Sequence, residues 1–473
     1  MRRKVLTIFF TLCMLYPLAA QERLKIQGEP IKLLSTETIA LSGTILQPRF
    51  APPPLQMISF VTVGKESRFL YLYDISGKKL IHVKPEVPSP NVTLMDTSLK
   101  HVAYTGDLSW RIVPDNEGKY WFAFVTHTPD GGKDIFIGYP GIEDYIRLTT
   151  HTKDDYAPAW SPDGDALAFI SLRSGNGDIY VIRNLKKVIE LRDIKPAKRV
   201  QLTNSIGEER DIAWNPDPKA HLIAYSRRVQ YPGRVLATFQ IQVLDEKRDG
   251  KYIYAVTDDP LTHYSMPRWD PHTGSRLLYV GQSIVRELKP VLYLSELEWD
   301  ADGKLKNKVL EGYKTIIFKN IKTEPAPVVW LSGGKAILCQ ENRPEQNFPL
   351  YSIDLSRWLN KQEGAVSYFK DLHSRFPFIV DFDIRKNNLV FTSQEGEFST
   401  IYLAQIYGED IEPYEKPEFA LSHPTMKRAF STAYIIGGGA VVAAGAITYF
   451  LLQGGEEQVT RIPVPIGRPP SMP

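Results

Sequence analysis

Acidic, basic and aromatic side chains meet at a few short stretches of the chain: Asp154-Asp155-Tyr156, Glu209-Arg210, His263-Tyr264, and His373 close to Arg375. Mixed charge beside aromatic rings suits recognition of a polar peptide, a glycan or a protein surface, because rings supply contact area and charges supply specificity. Catalysis finds less support. No G-x-S-x-G elbow occurs, and the nine histidines include no paired metal spacing such as H-E-x-x-H. The stretch Thr128 to Phe136 is like an Asp-box, but its aromatic falls one position late and the copy is single, so it reads as a hairpin loop. The candidate binding residues are therefore Asp155, Tyr156, Arg210, His263, Tyr264, His373 and Arg375, with no catalytic or metal-ligating residue and no cofactor.

What must position them is a repeat. "AWSPDGDALAFISLRSGNGDIYVI" holds a Pro162-Asp163-Gly164 turn and a second turn at Ser174 to Gly177, giving three short antiparallel strands that need neighbours to be stable. Its three anchors, Trp160, Phe169 and Tyr180, recur in order. The first anchor repeats as Phe50, Trp110, Trp160, Trp214, Trp269, Trp330 and Phe382. The second repeats as Phe60, Phe124, Phe169, Tyr225, Tyr279, Cys339 and Phe391; the third as Tyr71, Phe136, Tyr180, Ile241, Tyr293, Tyr351 and Tyr402. A fourth strand fits at "IRLTT", "RVQLT", "YIYAVT" and "AVSYF". Four strands per repeat of some 50 to 61 residues predict an all-β, seven-bladed β-propeller, with six blades as the alternative. The last blade takes its outer strand from "RLKIQG" or "EPIKLLS" near the start of the chain, or from "EDIEPY" after Tyr407. Cys339 stands where other repeats have an aromatic, so it is expected to be a buried apolar residue rather than a reactive thiol. In such a ring the loop entering each inner strand shares a face with the loop between the second and third strands, and the candidate residues lie on those entry loops; the alternative is a glycan or peptide bound in the central channel, with hydrolase-type activity.

The pattern from Leu148 to Ile182, "LT…DD.APAWSPDG..LAFIS.R.G..DIYVI", resembles the WD-like repeat of TolB-type β-propellers, a repeat also found in the propellers of prolyl oligopeptidase relatives. "IAWNPDPKAHLIAYSRR", 212 to 228, is a second good copy, and the resemblance extends over about residues 45 to 407. It implies an exported propeller that works by binding other envelope proteins, including a peptidoglycan-associated lipoprotein. The chain departs from that family in having no N-terminal α/β domain, seven repeats instead of six, and an added membrane anchor.

The flanks place the ring. "MRRKVLTIFFTLCMLYPLAA" has a basic start, an apolar run and small residues at Ala19 and Ala20, and reads as a secretory leader, residues 1–20. Without its three basic residues the chain balances 54 basic against 54 acidic groups, which excludes a nucleic-acid binder relying on a basic excess. Loss of Cys13 leaves Cys339 alone, so no intramolecular disulfide forms. The propeller then occupies 21–412 and a linker 413–433. The uncharged segment 434–452, "YIIGGGAVVAAGAITYFLL", is long enough for a transmembrane helix, and a Pro-rich tail fills 453–473. This arrangement predicts an extracytoplasmic, periplasmic propeller anchored in a membrane, with Gly439 and Ala443 on a helix face open to self-association. Asn91-Val92-Thr93 fits a glycosylation triplet.

Overall fold

The computed structural model describes residues 30–411, apart from 64–67, 84–103, 129–131, 286–288, 300–304, 308–314, 324–327, 332, 345–347, 377, 397 and 409–410. The leader, the glycosylation triplet, the linker, the 434–452 segment and the tail lie outside the described residues. Among the described residues no helix is long and apolar enough to cross a membrane.

The described residues form seven antiparallel blades of the propeller type, the first and last of them joined in one continuous sheet. Blade three shows the unit: Asp155–Trp160, Ala166–Ser171, Asp178–Arg183 and Lys198–Gln201 pair in sequence order. Blades two and four to six repeat that order, so the six-bladed alternative is excluded. The longest interval between first anchors, Trp269 to Trp330, is filled by a hairpin that extends Val291–Trp299 onto Leu305–Asn307.

Closure is made by one long strand. Lys32–Phe50 pairs through its first half with Phe398–Tyr407, the third strand of blade seven, and through its second half with Met57–Val63 of blade one. The stretch "EPIKLLS" therefore leads into the outer strand of the last blade, and the two open edges that an unclosed ring would leave are paired.

The anchors explain the packing. The second and third lie directly opposite each other in six blades, as Phe60↔Tyr71, Phe124↔Phe136, Phe169↔Tyr180, Tyr279↔Tyr293, Cys339↔Tyr351 and Phe391↔Tyr402. Ring centroids of the paired aromatics are 5.4 to 5.9 Å apart, a separation at which such pairs contribute about 0.5–1.5 kcal/mol beyond area burial. Blade four differs from expectation: Tyr225 faces Gln242, not Ile241, and donates its hydroxyl to Gln242 Oε1 at 2.9 Å. A polar partner there satisfies a phenol that is fully buried.

The turns after the inner strands are gripped by neighbouring blades. Gly164 (φ 69°) ends the Pro162-Asp163-Gly164 turn, and Arg111 of blade two donates to its carbonyl at 2.8 Å. A Cβ at Gly164 would fall 2.4 Å from Arg111 Nε, so backbone conformation and close approach both require glycine.

Candidate functional site

Two surfaces of the ring carry functional groups: the face bearing the entry loops, and the central channel.

On the entry-loop face the structure separates the residues expected to act together. Asp155 and Tyr264 are interior groups. Asp155 is fully buried and accepts two bonds from Arg173 Nη2, at 2.8 and 2.6 Å, which fastens the blade-three loop. Tyr264 is buried and edge-packed on Tyr279 and Tyr293, with centroids 5.7 and 5.9 Å away. Both belong to inner strands that begin earlier than a loop assignment assumes, at Asp155 and Thr262, so their side chains turn into the sheet stack. Neither can touch a partner. Tyr156 is half-buried against the cores on both sides of its strand.

Arg210 and His263 are brought together by Phe239. The Arg210 guanidinium lies 3.7 Å from the Phe239 ring centroid, and the backbone N–H of Phe239 donates to His263 Nδ1 at 3.1 Å. Burial, then the nearby Arg210 and Arg228 cations, lower the His263 pKa, so the imidazole is neutral near pH 7 and Nδ1 is its acceptor. His373 sits apart, at the entry to blade seven on the short helix Lys370–Arg375. Its Nε2 accepts from Leu350 N at 2.7 Å, its ring stacks on Tyr368, and burial drives its pKa down to about 4. Arg375 is exposed beside Phe376. Asp155, Arg210 and His263 do not converge.

The same face carries apolar loop tips that the charged residues overshadow in the sequence. Ile206 is 100% exposed and Val235 95%, and Leu236, Val285, Phe378 and Phe398 are also exposed. All six lie on entry loops or at the loops between second and third strands. The available signal was an apolar residue at the tip of a turn, as in "SIG" and "PGRVL".

The central channel is the alternative site that the sequence offers, but none of the residues that line it is among the sequence candidates. A cavity of about 300 Å³ is lined by Gln47, Arg49, Ala157, Asp211, Ile212 and Arg268, among others. Its shape follows from the inner strands: Gln47, Ala157, Asp211 and Met266 all have φ between 52° and 59°, and each stands three residues before a first anchor. Each coincides with a register shift against the second strand. These are β-bulges, which re-aim the following side chains. Arg49 pairs with Asp381 at 3.0 Å. The surrounding Asp381 and Asp383 carboxylates raise the Arg49 pKa in spite of burial. Asp383 is pushed upward by burial, partly offset by Arg49. Arg268 is exposed to the channel though ringed by protein. Burial and then Arg49 lower its pKa, with Asp211 opposing. Among the described residues no three His, Cys, Asp or Glu side chains are grouped so as to hold a metal ion.

No family model matches the chain, and no curated protein sequence does. Solved structures of similar fold are numerous. An oligogalacturonate lyase in complex with manganese matches with a TM-score of 0.51 and 11% identity, over 82% of this chain and 100% of that one. The fold is a seven-bladed propeller. A puromycin-hydrolysing peptidase from Mycobacterium tuberculosis matches at 0.49 and 10%, over 79% of this chain and 54% of that one. TolB from Acinetobacter baumannii matches at 0.35 and 17%, over 54% of this chain, which spans about half (52%) of the TolB chain. At 11% identity the likeness to the lyase is one of fold.

Proposed function

We propose that the protein is a non-catalytic binding module that presents the entry-loop face of its propeller to another protein of the cell envelope. The observation that carries this reading is the set of exposed apolar tips on that one face, led by Ile206 and Val235. Exposed apolar groups gathered on one face fit a surface that a partner covers. A protein partner fits better than a lipid surface, because the same face carries acidic Asp258 as well as Arg210 and Arg234, whereas a membrane-binding face is dominated by Lys and Arg. The leader-like first 20 residues and the uncharged 434–452 segment support an extracytoplasmic, membrane-held placement.

The test is co-purification from native membranes with Ile206→Asp/Val235→Asp beside a control on the opposite face, Ile112→Asp/Leu191→Asp. The first pair is expected to lose a partner that the wild type and the control retain. Equal recovery by both contradicts the proposal. A second reading, a small ligand held in the channel, is favoured by the Arg268 guanidinium.

A further inference from the structure

The inner strands of blades one and five are built alike up to one point. In each, a left-handed residue, Gln47 or Met266, sits three positions before the anchor. Each donates its backbone N–H to a carboxylate of the preceding blade: Gln47 to Asp381 Oδ2 and Met266 to Asp211 Oδ2, both at 3.1 Å. Two residues further on each strand places an arginine, Arg49 or Arg268, in the wall of the channel.

Here the two diverge. Arg49 folds back on its carboxylate, 3.0 Å from Asp381 Oδ1, and donates to the Pro48 carbonyl at 2.7 Å. The carboxylate next to Arg268 is taken up elsewhere. Asp211 accepts from the Ser226 hydroxyl at 2.8 Å and faces Arg210 Nε at 3.5 Å. Among the described residues no acceptor takes a hydrogen bond from the Arg268 guanidinium. The molecule thus contains its own comparison: the same local frame holds an ion-paired arginine in blade one and, in blade five, one that makes no ion pair among the described residues. Five donors in a fixed plane are left facing a cavity of about 300 Å³, a volume at the small end of ligand sites. Burial and the second guanidinium both disfavour the Arg268 cation, a cost that an incoming anion would relieve.

We infer that Arg268, with Arg49 beside it, binds the carboxylate of a small ligand or chain end entering the channel. The guanidinium fork matches a carboxylate through two parallel bonds. The Asp211 carboxylate in the same wall favours a monoanion that brings its own hydroxyl or amide N–H, and repels a phosphate dianion. This site goes beyond the docking face and is separable from it, since a face variant leaves the channel intact.

The test is calorimetric titration of the full-length protein with N-acetylglycine, a chain-end carboxylate, with glycolate, a free hydroxy acid, and with inorganic phosphate. Saturable binding of one of the two carboxylates is expected, and which one binds tells a chain end from a free acid. Arg268→Gln should weaken it at least tenfold and Arg268→Lys should restore part of it. In wild type the bound carboxylate should also protect Arg268, but not Arg375, from phenylglyoxal, a readout that needs no folded variant. Failure of both carboxylates to bind, tighter binding of phosphate, unchanged binding by a folded Arg268→Gln, or unprotected Arg268 would each overturn the inference.

Discussion

The indole N–H of Trp214 in blade four donates to the backbone carbonyl of Ala159 in blade three, at 2.8 Å. Ala159 is the residue before that blade's own anchor, Trp160, and the relation repeats as Trp269 to Ala213 at 3.0 Å and Trp330 to Arg268 at 3.2 Å. In blade two the link runs through a hydroxyl: Trp110 Nε1 reaches Ser59 Oγ at 3.5 Å, and Ser59 donates to the Arg49 carbonyl at 3.3 Å. The tryptophans are therefore inter-blade fasteners as well as filler.

Trp160 is the exception, since its Nε1 is buried with no acceptor among the described residues. Replacing Trp214 with Phe should cost about 1 kcal/mol more than replacing Trp160 with Phe, because only the former abandons a hydrogen bond. Urea unfolding midpoints of the two variants decide it, and equal losses would show that the bond adds nothing.

Ring closure depends on Ile39, which is buried between blades seven and one against Ile401, Val390 and Phe60. Ile39→Ala should destabilise by about 2–5 kcal/mol, whereas Leu34→Ala on the same strand, at an exposed position, should change little. Chemical denaturation of both variants is the check.

Stability should fall on both sides of a plateau. Burial, reinforced by the Asp178 carboxylate, pushes Glu209 from 4.5 up to about 8 against bonds from Ser205 and Thr203. Its raised folded pKa gives stability that is complete below pH 4.5 and is lost as pH climbs through 8. His373 is lowered from 6.5 to about 4 by burial, so its share is complete above pH 6.5 and is lost as pH falls through 4. Between 4.5 and 6.5 the two slopes oppose each other. Thermal unfolding across pH should show Glu209→Gln flattening the alkaline decline alone; an unchanged alkaline limb refutes the assignment.

Cys339 is fully buried, and burial raises its thiol pKa. Alkylation mapped to Cys339 by mass spectrometry should be absent under native conditions and should appear with unfolding. Prompt native labelling would contradict its place in the core.

The ring was legible because its anchors occupy fixed register positions, so aromatic periodicity survives where other similarity fades. Blade four slipped by one residue because Gln242 takes the place of an apolar partner. The lining of the channel was hidden for a different reason. Alternation along a strand predicts side-chain direction only while the pleat is unbroken, and the bulges at Gln47, Ala157, Asp211 and Met266 break it just before Arg49 and Arg268. Nothing in a single sequence marks a non-glycine residue as left-handed. Asp155 and Tyr264 were misplaced at strand starts, where a shift of one or two residues exchanges solvent for interior.

Site-specific photocrosslinking in native cells tests the binding-face account most directly. A photoreactive residue at position 206, 235 or 285 is predicted to capture one discrete envelope protein, while the same residue at 112 or 191 captures none. Crosslinks equally frequent from both faces, or none from the entry-loop face, would contradict it.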